Sequence, residues 1–226
     1  MLVLKLASVL LQLAIFGGLL FIPAGTLEWW RAWVFMGVVF AGAAWMVLFV
    51  FRAQDDLFKE RFKFPIQKGQ PLADRIIVPL IIISFVGLIV FIPLDVFRFH
   101  LIGRPGVLVS SAGLALVVAG WWVMGLAMSE NHFALAVVRY QPERHQTVID
   151  TGVYGIVRHP MYAGAVLLFV GMPLWLESYA ATLLASVPIA VLAVRIMVEE
   201  HTLRRELPGY DGYMRRVRYR LVPFVW

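Results

Sequence analysis

The stretch PMYAGAVLLFVGMPLWLESYAATLLASVPIAVLAV, residues 160–194, decides the architecture: its 35 residues carry a single charge, Glu177. As one helix it would be about 52 Å long at 1.5 Å per residue, whereas the hydrocarbon core of a bilayer is roughly 30 Å thick. The stretch must fold back on itself, and a turn at Leu176–Tyr179 predicts a hairpin of two short helices of about 17 residues each. Toward the N-terminus lie four further apolar runs, Leu2–Ile22, Ala32–Phe51, Ile76–Leu94 and Pro105–Ser129, each near the ~20 residues a spanning helix requires. The fold class is therefore an all-α integral membrane protein with about six transmembrane helices, the last two a short helical hairpin. Composition agrees, with 61% hydrophobic residues, 15% charged and a mean hydropathy of +0.81, against about 45–50% and 25% in soluble domains. A larger core does not explain that excess, because a soluble chain must still cover its outside with polar residues.

The charged minority gives orientation. Threading the runs alternately through a bilayer puts sixteen basic residues on one side, namely Lys5, six in the loop 52–75, then Arg139, Arg144 and Arg158, and six arginines after Glu200. Only Arg31, Arg98 and Arg104 fall on the other side. By the positive-inside rule both termini are expected in the cytoplasm. The pI of about 9.9 thus reflects topology, and nucleic acid is not an expected partner, because the basic residues are dispersed between apolar runs. The first run is long for a signal peptide and no small-x-small site follows it, so it is expected to stay as a span. The chain divides into residues 1–129, four helices with the cytoplasmic loop 52–75, and residues 130–226, a C-terminal half with a polar segment, the hairpin 160–198 and a basic tail. All the long polar pieces fall on the cytoplasmic side, so a pocket for a water-soluble cofactor is expected there.

Absences narrow the chemistry. With no cysteine there is no disulfide framework, thiolate zinc site or cysteine nucleophile. His100, His132, His145, His159 and His201 are never three to five residues apart, which excludes HExxH zinc sites and dense histidine clusters, and no metal is expected. No GxxxxGK[ST] loop is present, so P-loop phosphate chemistry is out. What remains is the junction Asp150–Gly164, DTGVYGIVRHPMYAG. Pro160 suits a first helical turn, where its missing N–H costs nothing, so Arg158 and His159 stand at a helix N-terminus that favours an anionic group. The competing reading is an interfacial anchor in which Arg158 snorkels and Tyr162 joins an aromatic belt. A second feature is Arg195-Ile-Met-Val-Glu199-Glu200-His201. Arg195 and Glu199 share a helix face at the membrane boundary, either as functional groups facing the interior or as a plain i,i+4 ion pair. The tail from Leu203 interleaves arginines with Tyr210, Tyr213, Tyr219, Phe224 and Trp226, which after a membrane helix reads as attachment to lipid headgroups.

Thr151-Gly-Val-Tyr154, Val157-Arg-His-Pro-Met-Tyr-Ala-Gly164, Arg195 with Glu199-Glu200, Leu207-Pro-Gly-Tyr210 and Arg218-Tyr-Arg220 with Pro223 together resemble the isoprenylcysteine carboxyl methyltransferase family, which is itself similar to the phospholipid N-methyltransferases. The resemblance covers the C-terminal half, roughly from Asn131. It implies a cofactor, S-adenosylmethionine, bound on the cytoplasmic side, and a lipid-like substrate reaching the site from the bilayer. It further implies that Gln146, Thr147, Val148 and Ile149 line the cofactor pocket with Tyr154 beside them, that His159, Pro160, Met161 and Tyr162 add contacts, and that Glu199 binds the cofactor's polar groups. Asn131 and Phe133 match more weakly, as supporting contacts. Arg195 is implied to hold the substrate carboxylate, making Arg195 and Glu199 the catalytic pair. The family commonly has histidine where Gln146 stands, and His145 precedes it. A carboxylate acceptor is already ionised at neutral pH and needs no general base. The alternatives are an amine of a phospholipid, for which Glu199 or Glu200 would take the proton, a small thiol, or a small transporter or scaffold with no catalysis. Sterol reductases share an RHPxY-like half and bind NADPH, but have more spans than 226 residues allow.

Overall fold

The computed structural model describes residues 2–51, 61, 66, 67 and 69–226. Arg52, Lys59, Lys63 and Lys68 of the first basic loop lie outside the described residues. Among those described, every regular element is helical, as a bilayer demands, since a helix satisfies its own backbone where no water can. Helix α1 is Leu2–Ala24, and α2 is Trp30–Trp45, continued by a π-helical turn at Met46–Val50. Helix α3 is Leu72–Leu94, extended by a second π turn at Asp95–Phe99, and α4 is Val107–Glu130. After an irregular segment come α5, Pro160–Trp175, α6, Tyr179–Leu184, α7, Ser186–Glu206, and α8, Tyr210–Arg216.

Five of the helical runs are long and apolar enough to cross a membrane: Ala7–Ala24, Trp30–Val50, Leu72–Phe99, Val107–Glu130 and Tyr179–Glu206. Leu10, Leu11, Ile15, Ile83 and Leu108 stand exposed on these helices, the outward face of a protein whose surroundings are hydrocarbon. The hairpin turns at Leu176–Ser178, where the apolar run is interrupted, but its arms are unequal. The first arm, α5, has 16 residues, while the second, α6 and α7 together, runs 28 residues to Glu206. At 1.5 Å per residue that arm is about 42 Å long, well beyond a ~30 Å core, so it is long enough for its last turns, after Glu199, to extend past the boundary.

Glu177, the lone charge of the 160–194 stretch, lies 3.2 Å from Arg31 Nε. Arg31 also donates to the Trp175 carbonyl at 3.2 Å and lies against the Trp30 and Trp175 rings. Trp175 Nε1 returns a bond to the Arg31 carbonyl. This knot joins the hairpin turn to the start of α2. Beside it, buried Asp95 accepts from Ser178 Oγ at 2.6 Å and from the Leu101 amide. Leu20, Leu88, Ile92, Phe169, Leu176 and Ile196 fill the core between α1, α3, α5 and α7. The closest pair is α4 with α5. A Cβ on Gly120 or Gly164 would come within 2.7 Å of the other's carbonyl oxygen, and one on Gly171 within 2.6 Å of the Gly113 carbonyl. Glycines seven residues apart on each helix thus let the two backbones touch, the means by which membrane helices associate without a hydrophobic drive.

Candidate active site

The segment 131–159 and the last turns of α7 meet at one end of the bundle and enclose a cavity. Segment 131–138 forms one wall through Asn131, Phe133, Leu135 and Val138, and α7 with the tail forms another through Leu203, Leu207, Tyr210 and Tyr213. Gln146, Thr147, Val148, Ile149, Tyr154, His159, Met161, Tyr162 and Glu199 all line it. Gln146 rather than His145 faces the space, for His145 sits exposed in a left-handed turn at φ +51°. Buried Gln141 fixes this loop. Its amide N–H donates to Gln146 Oε1 at 2.8 Å, its side chain donates to the Phe133 carbonyl at 2.9 Å, and Arg144 caps its oxygen. Pro160, fully buried at the first position of α5, lies behind the wall.

The RHP motif is anchored to the tail. The Arg158 and His159 amides donate to the carbonyls of Tyr219 and Arg220, both at 2.9 Å. Arg158 is buried beside the cavity: Nε donates to Glu200 Oε1 at 2.7 Å, and Nη1 to the carbonyls of Val217 and Arg218. Buried in this way, it does not snorkel. Glu200 also accepts from His159 Nε2 at 3.2 Å and from Arg220 Nε at 2.9 Å. A carboxylate only accepts, so the Nε2 proton of His159 lies on that bond and Nδ1 faces Glu199, 4.0 Å away. The His159 ring stacks on Tyr162, centroids 5.5 Å apart and planes 9° from parallel. Tyr162 belongs to no interfacial belt; it is buried, and its hydroxyl donates to Glu199 Oε2 at 2.6 Å.

Arg195 and Glu199 are not paired with each other. Arg195 Nε binds Asp74 Oδ1 at 3.0 Å, Nη2 donates to the Ala136 carbonyl at 2.6 Å, and the guanidinium carbon lies 5.6 Å over the Tyr162 ring. The side chain is thereby held behind Tyr162 and not on the lining of the cavity. Asp74, from the first turn of α3, is not among the residues expected from the sequence, since it lies within the loop 52–75, whose charges there serve only to set orientation. The signal was an acid beside an apolar run, at a depth where an unpaired charge is costly. Arg61 was missed for the same reason. Its Nη1 donates to the Ala134 carbonyl at 2.8 Å and toward Met161 Sδ, and its pKa falls to about 10, chiefly through burial, with nearby Arg195 adding to the effect.

Tyr154 is buried under the cavity and its carbonyl accepts from Tyr213 Oη at 2.8 Å. Burial is the main cause that pushes its phenol up to about 12, against the pull of a hydrogen bond to Asn131. Burial likewise raises Tyr210 and Tyr213, which form a cluster with Leu207 and Val217. These tail aromatics pack inward as a wall of the cavity, in place of the lipid contact expected of them. Gly152 enters its turn at φ +53°, and a Cβ there would stand 2.5 Å from Glu130 Oε1, which accounts for the glycine of the TGVY motif. Among the described residues no group of histidines and acids is placed to hold a metal.

A helical membrane protein with this half-buried polar cavity is matched, over residues 108–208, by the family model described as phospholipid methyltransferase. Those residues contain α4, the loop, α5 to α7 and most of the cavity lining. The chain is also 31% identical over 120 residues to the protein-S-isoprenylcysteine O-methyltransferase B of Arabidopsis thaliana, a match covering 52% of this chain and 60% of that relative. The family match falls largely on the C-terminal half that carries the motif resemblance, and the chain spans about 60% of the length of that relative.

Proposed function

We propose that the protein methylates the carboxylate of an isoprenylcysteine-type lipid at the cytoplasmic membrane face, using S-adenosylmethionine. The observation that carries this reading is the convergence on one cavity of Gln146–Ile149, Tyr154, His159, Met161, Tyr162 and Glu199, from stretches of chain that lie far apart in sequence. The cavity fits the cofactor by its donor set: an apolar wall of Leu135, Val148 and Leu203 for a purine, and the Glu199 carboxylate, its side chain 26% exposed, for an ammonium. When bound, S-adenosylmethionine supplies an activated methyl group on a sulfonium.

The chain's own part is positioning. Tyr162 fixes Glu199, the tail residues Leu207, Tyr210 and Tyr213 form one wall of the cavity, and Arg195 beside Tyr162 offers a donor to an anionic acceptor. Alignment of the reacting groups alone accounts for roughly 7–11 kcal/mol of a displacement barrier, and an ionised carboxylate acceptor asks for no base. Helix α5, at 16 residues, is about 24 Å long and roughly 6 Å short of a bilayer core. The cavity at its N-terminal end therefore sits at the level where a lipid headgroup arrives. A phospholipid amine is the second reading, favoured by the family description matched over residues 108–208. Purified protein in lipid nanodiscs, given methyl-labelled S-adenosylmethionine with an N-acetylated S-farnesylcysteine, phosphatidylethanolamine or a small thiol, separates them. Base-labile label on the farnesylcysteine supports the O-methyl reading; label only in phosphatidylethanolamine or only in the thiol overturns it.

A further inference from the structure

Asp74 has no exposed surface, and both of its carboxylate oxygens are fully engaged by three different segments. Oδ1 holds Arg195 Nε at 3.0 Å on α7, and Oδ2 accepts from Gln70 Nε2 at 2.8 Å and from the Val138 amide at 2.9 Å, the latter in the cavity wall. Arg195 in turn spends Nη2 on the Ala136 carbonyl, two residues from Val138. The guanidinium is a planar fork with five donors. With Nε and Nη2 taken, Nη1 has no hydrogen-bond partner among the described residues.

We propose that Asp74 is a positioning residue for methyl transfer, fixing the Arg195 fork so that Nη1 is the donor left for the acceptor's anionic group. The inference rests on the reading of Arg195 as the acceptor-binding residue. Its physical content is twofold. A long arginine side chain loses rotamer entropy when ordered; Asp74 and the Ala136 carbonyl exact that cost during folding, before the acceptor arrives. The ion pair also cancels most of the guanidinium charge, so the acceptor is held by a directed hydrogen bond, and an ester product, which has no charge, is readily released. Because Gln70 precedes α3 and Val138 lines the cavity, the same carboxylate registers the end of the first loop against the site.

The test compares Asp74→Asn with Arg195→Gln in purified protein. It measures kcat and KM for N-acetyl-S-farnesylcysteine, and S-adenosylmethionine affinity by calorimetry. Asp74→Asn keeps the size of the side chain and an oxygen for the Val138 amide, but turns an amide donor toward Arg195. The positioning role predicts a loss of at least about tenfold in acceptor kcat/KM, with cofactor affinity within about twofold of the parent. An acceptor kcat/KM within about twofold of the parent overturns it, as does a loss shared equally by acceptor and cofactor, the mark of a purely structural tie. Should Asp74→Asn not fold, Gln70→Ala decides, because it loosens Asp74 without removing the ion pair. A selective acceptor defect supports the role, and no defect or a shared one overturns it. Full activity in Arg195→Gln sinks the reading of Arg195 and the inference with it, whereas an inactive Arg195→Gln beside a normal Asp74→Asn sinks the role of Asp74 alone.

Discussion

The Tyr162 hydroxyl donates to Glu199 Oε2 across 2.6 Å, joining the first turn of α5 to the C-terminal half of α7 at the cavity wall. A short bond to a carboxylate is among the stronger kinds in proteins, and here it aims an otherwise mobile acid into the space between segment 131–138 and the tail. Tyr162→Phe deletes that bond and keeps the ring that stacks on His159. Hydrogen bonds to charged groups are worth about 1.5–3 kcal/mol, so the variant is expected to bind S-adenosylmethionine roughly ten- to a hundredfold more weakly. Glu199→Gln, which removes the charge itself, should abolish detectable methyl transfer. Calorimetry in detergent reads the first and the labelled-methyl assay the second. Parental cofactor affinity in both variants would remove Glu199 from the cofactor site.

Glu199 and Glu200 are neighbours in sequence with opposite fates. Glu200 is buried and holds Arg158, His159 and Arg220 at once, so its loss strands two guanidinium groups and loosens the tail from the RHP motif. Removing one partner of a buried ion pair costs about 3–5 kcal/mol. Glu200→Gln should therefore unfold at markedly lower denaturant or temperature than the parent, while Glu199→Gln stays close to it. Equal stability of the two variants would contradict this division.

The fold was legible because hydrocarbon imposes length and polarity at once: the 160–194 run had to turn, and it turns beside Glu177. The cavity residues Gln146–Ile149, Tyr154, His159, Met161, Tyr162 and Glu199 were legible only through their motif, since no periodicity brings positions 146 and 199 together. Asp74 was not legible. Its partner lies 121 residues away on α7, and a carboxylate among the basic residues 52–75 resembles any solvated loop charge. The burial of Arg158 was hidden for a related reason, for its partners are Glu200 and backbone carbonyls of the tail. The tail did carry a usable signal: Leu207, Tyr210, Tyr213 and Val217 recur every three or four residues, the spacing of a buried helical face, although its arginines drew the eye toward lipid.

The α4–α5 contact makes a steric prediction. Even one methyl group on Gly164 would meet the Gly120 carbonyl at 2.7 Å and the Met124 amide nitrogen at 3.1 Å, both backbone atoms that cannot swing aside. Overpacking of this kind costs typically about 1–3 kcal/mol, so Gly164→Ala should lower stability by that order and, because Gly164 ends the RHPMYAG segment, weaken cofactor binding too. Gly37→Ala, where nothing lies within 4 Å of the added carbon, should be neutral or slightly stabilising through helix propensity. Thermal unfolding of the two variants side by side is the measurement, and a Gly164→Ala protein as stable as Gly37→Ala would deny the backbone contact.

Tyr154 gives the pH dependence a definite sign. Its phenol is raised to about 12, mainly by burial, whereas an unfolded tyrosine ionises near 10. A folded state that keeps its proton longer binds more protons than the unfolded chain between those values, so stability falls as pH rises there. The contribution of the neutral phenol is thus complete below about pH 10 and lost as the pH climbs toward 12. Tyr210 and Tyr213, raised by burial as well, act in the same direction. The folded protein should show the phenolate absorbance of these three tyrosines only well above pH 10, and the pH–rate profile should carry no limb from Tyr154 below that value. Tyr154→Phe should remove amplitude from the late part of the absorbance titration and soften the alkaline loss of stability. Amplitude removed instead from a step at or below pH 10 would mean that Tyr154 is in contact with water, and that the floor of the cavity is open.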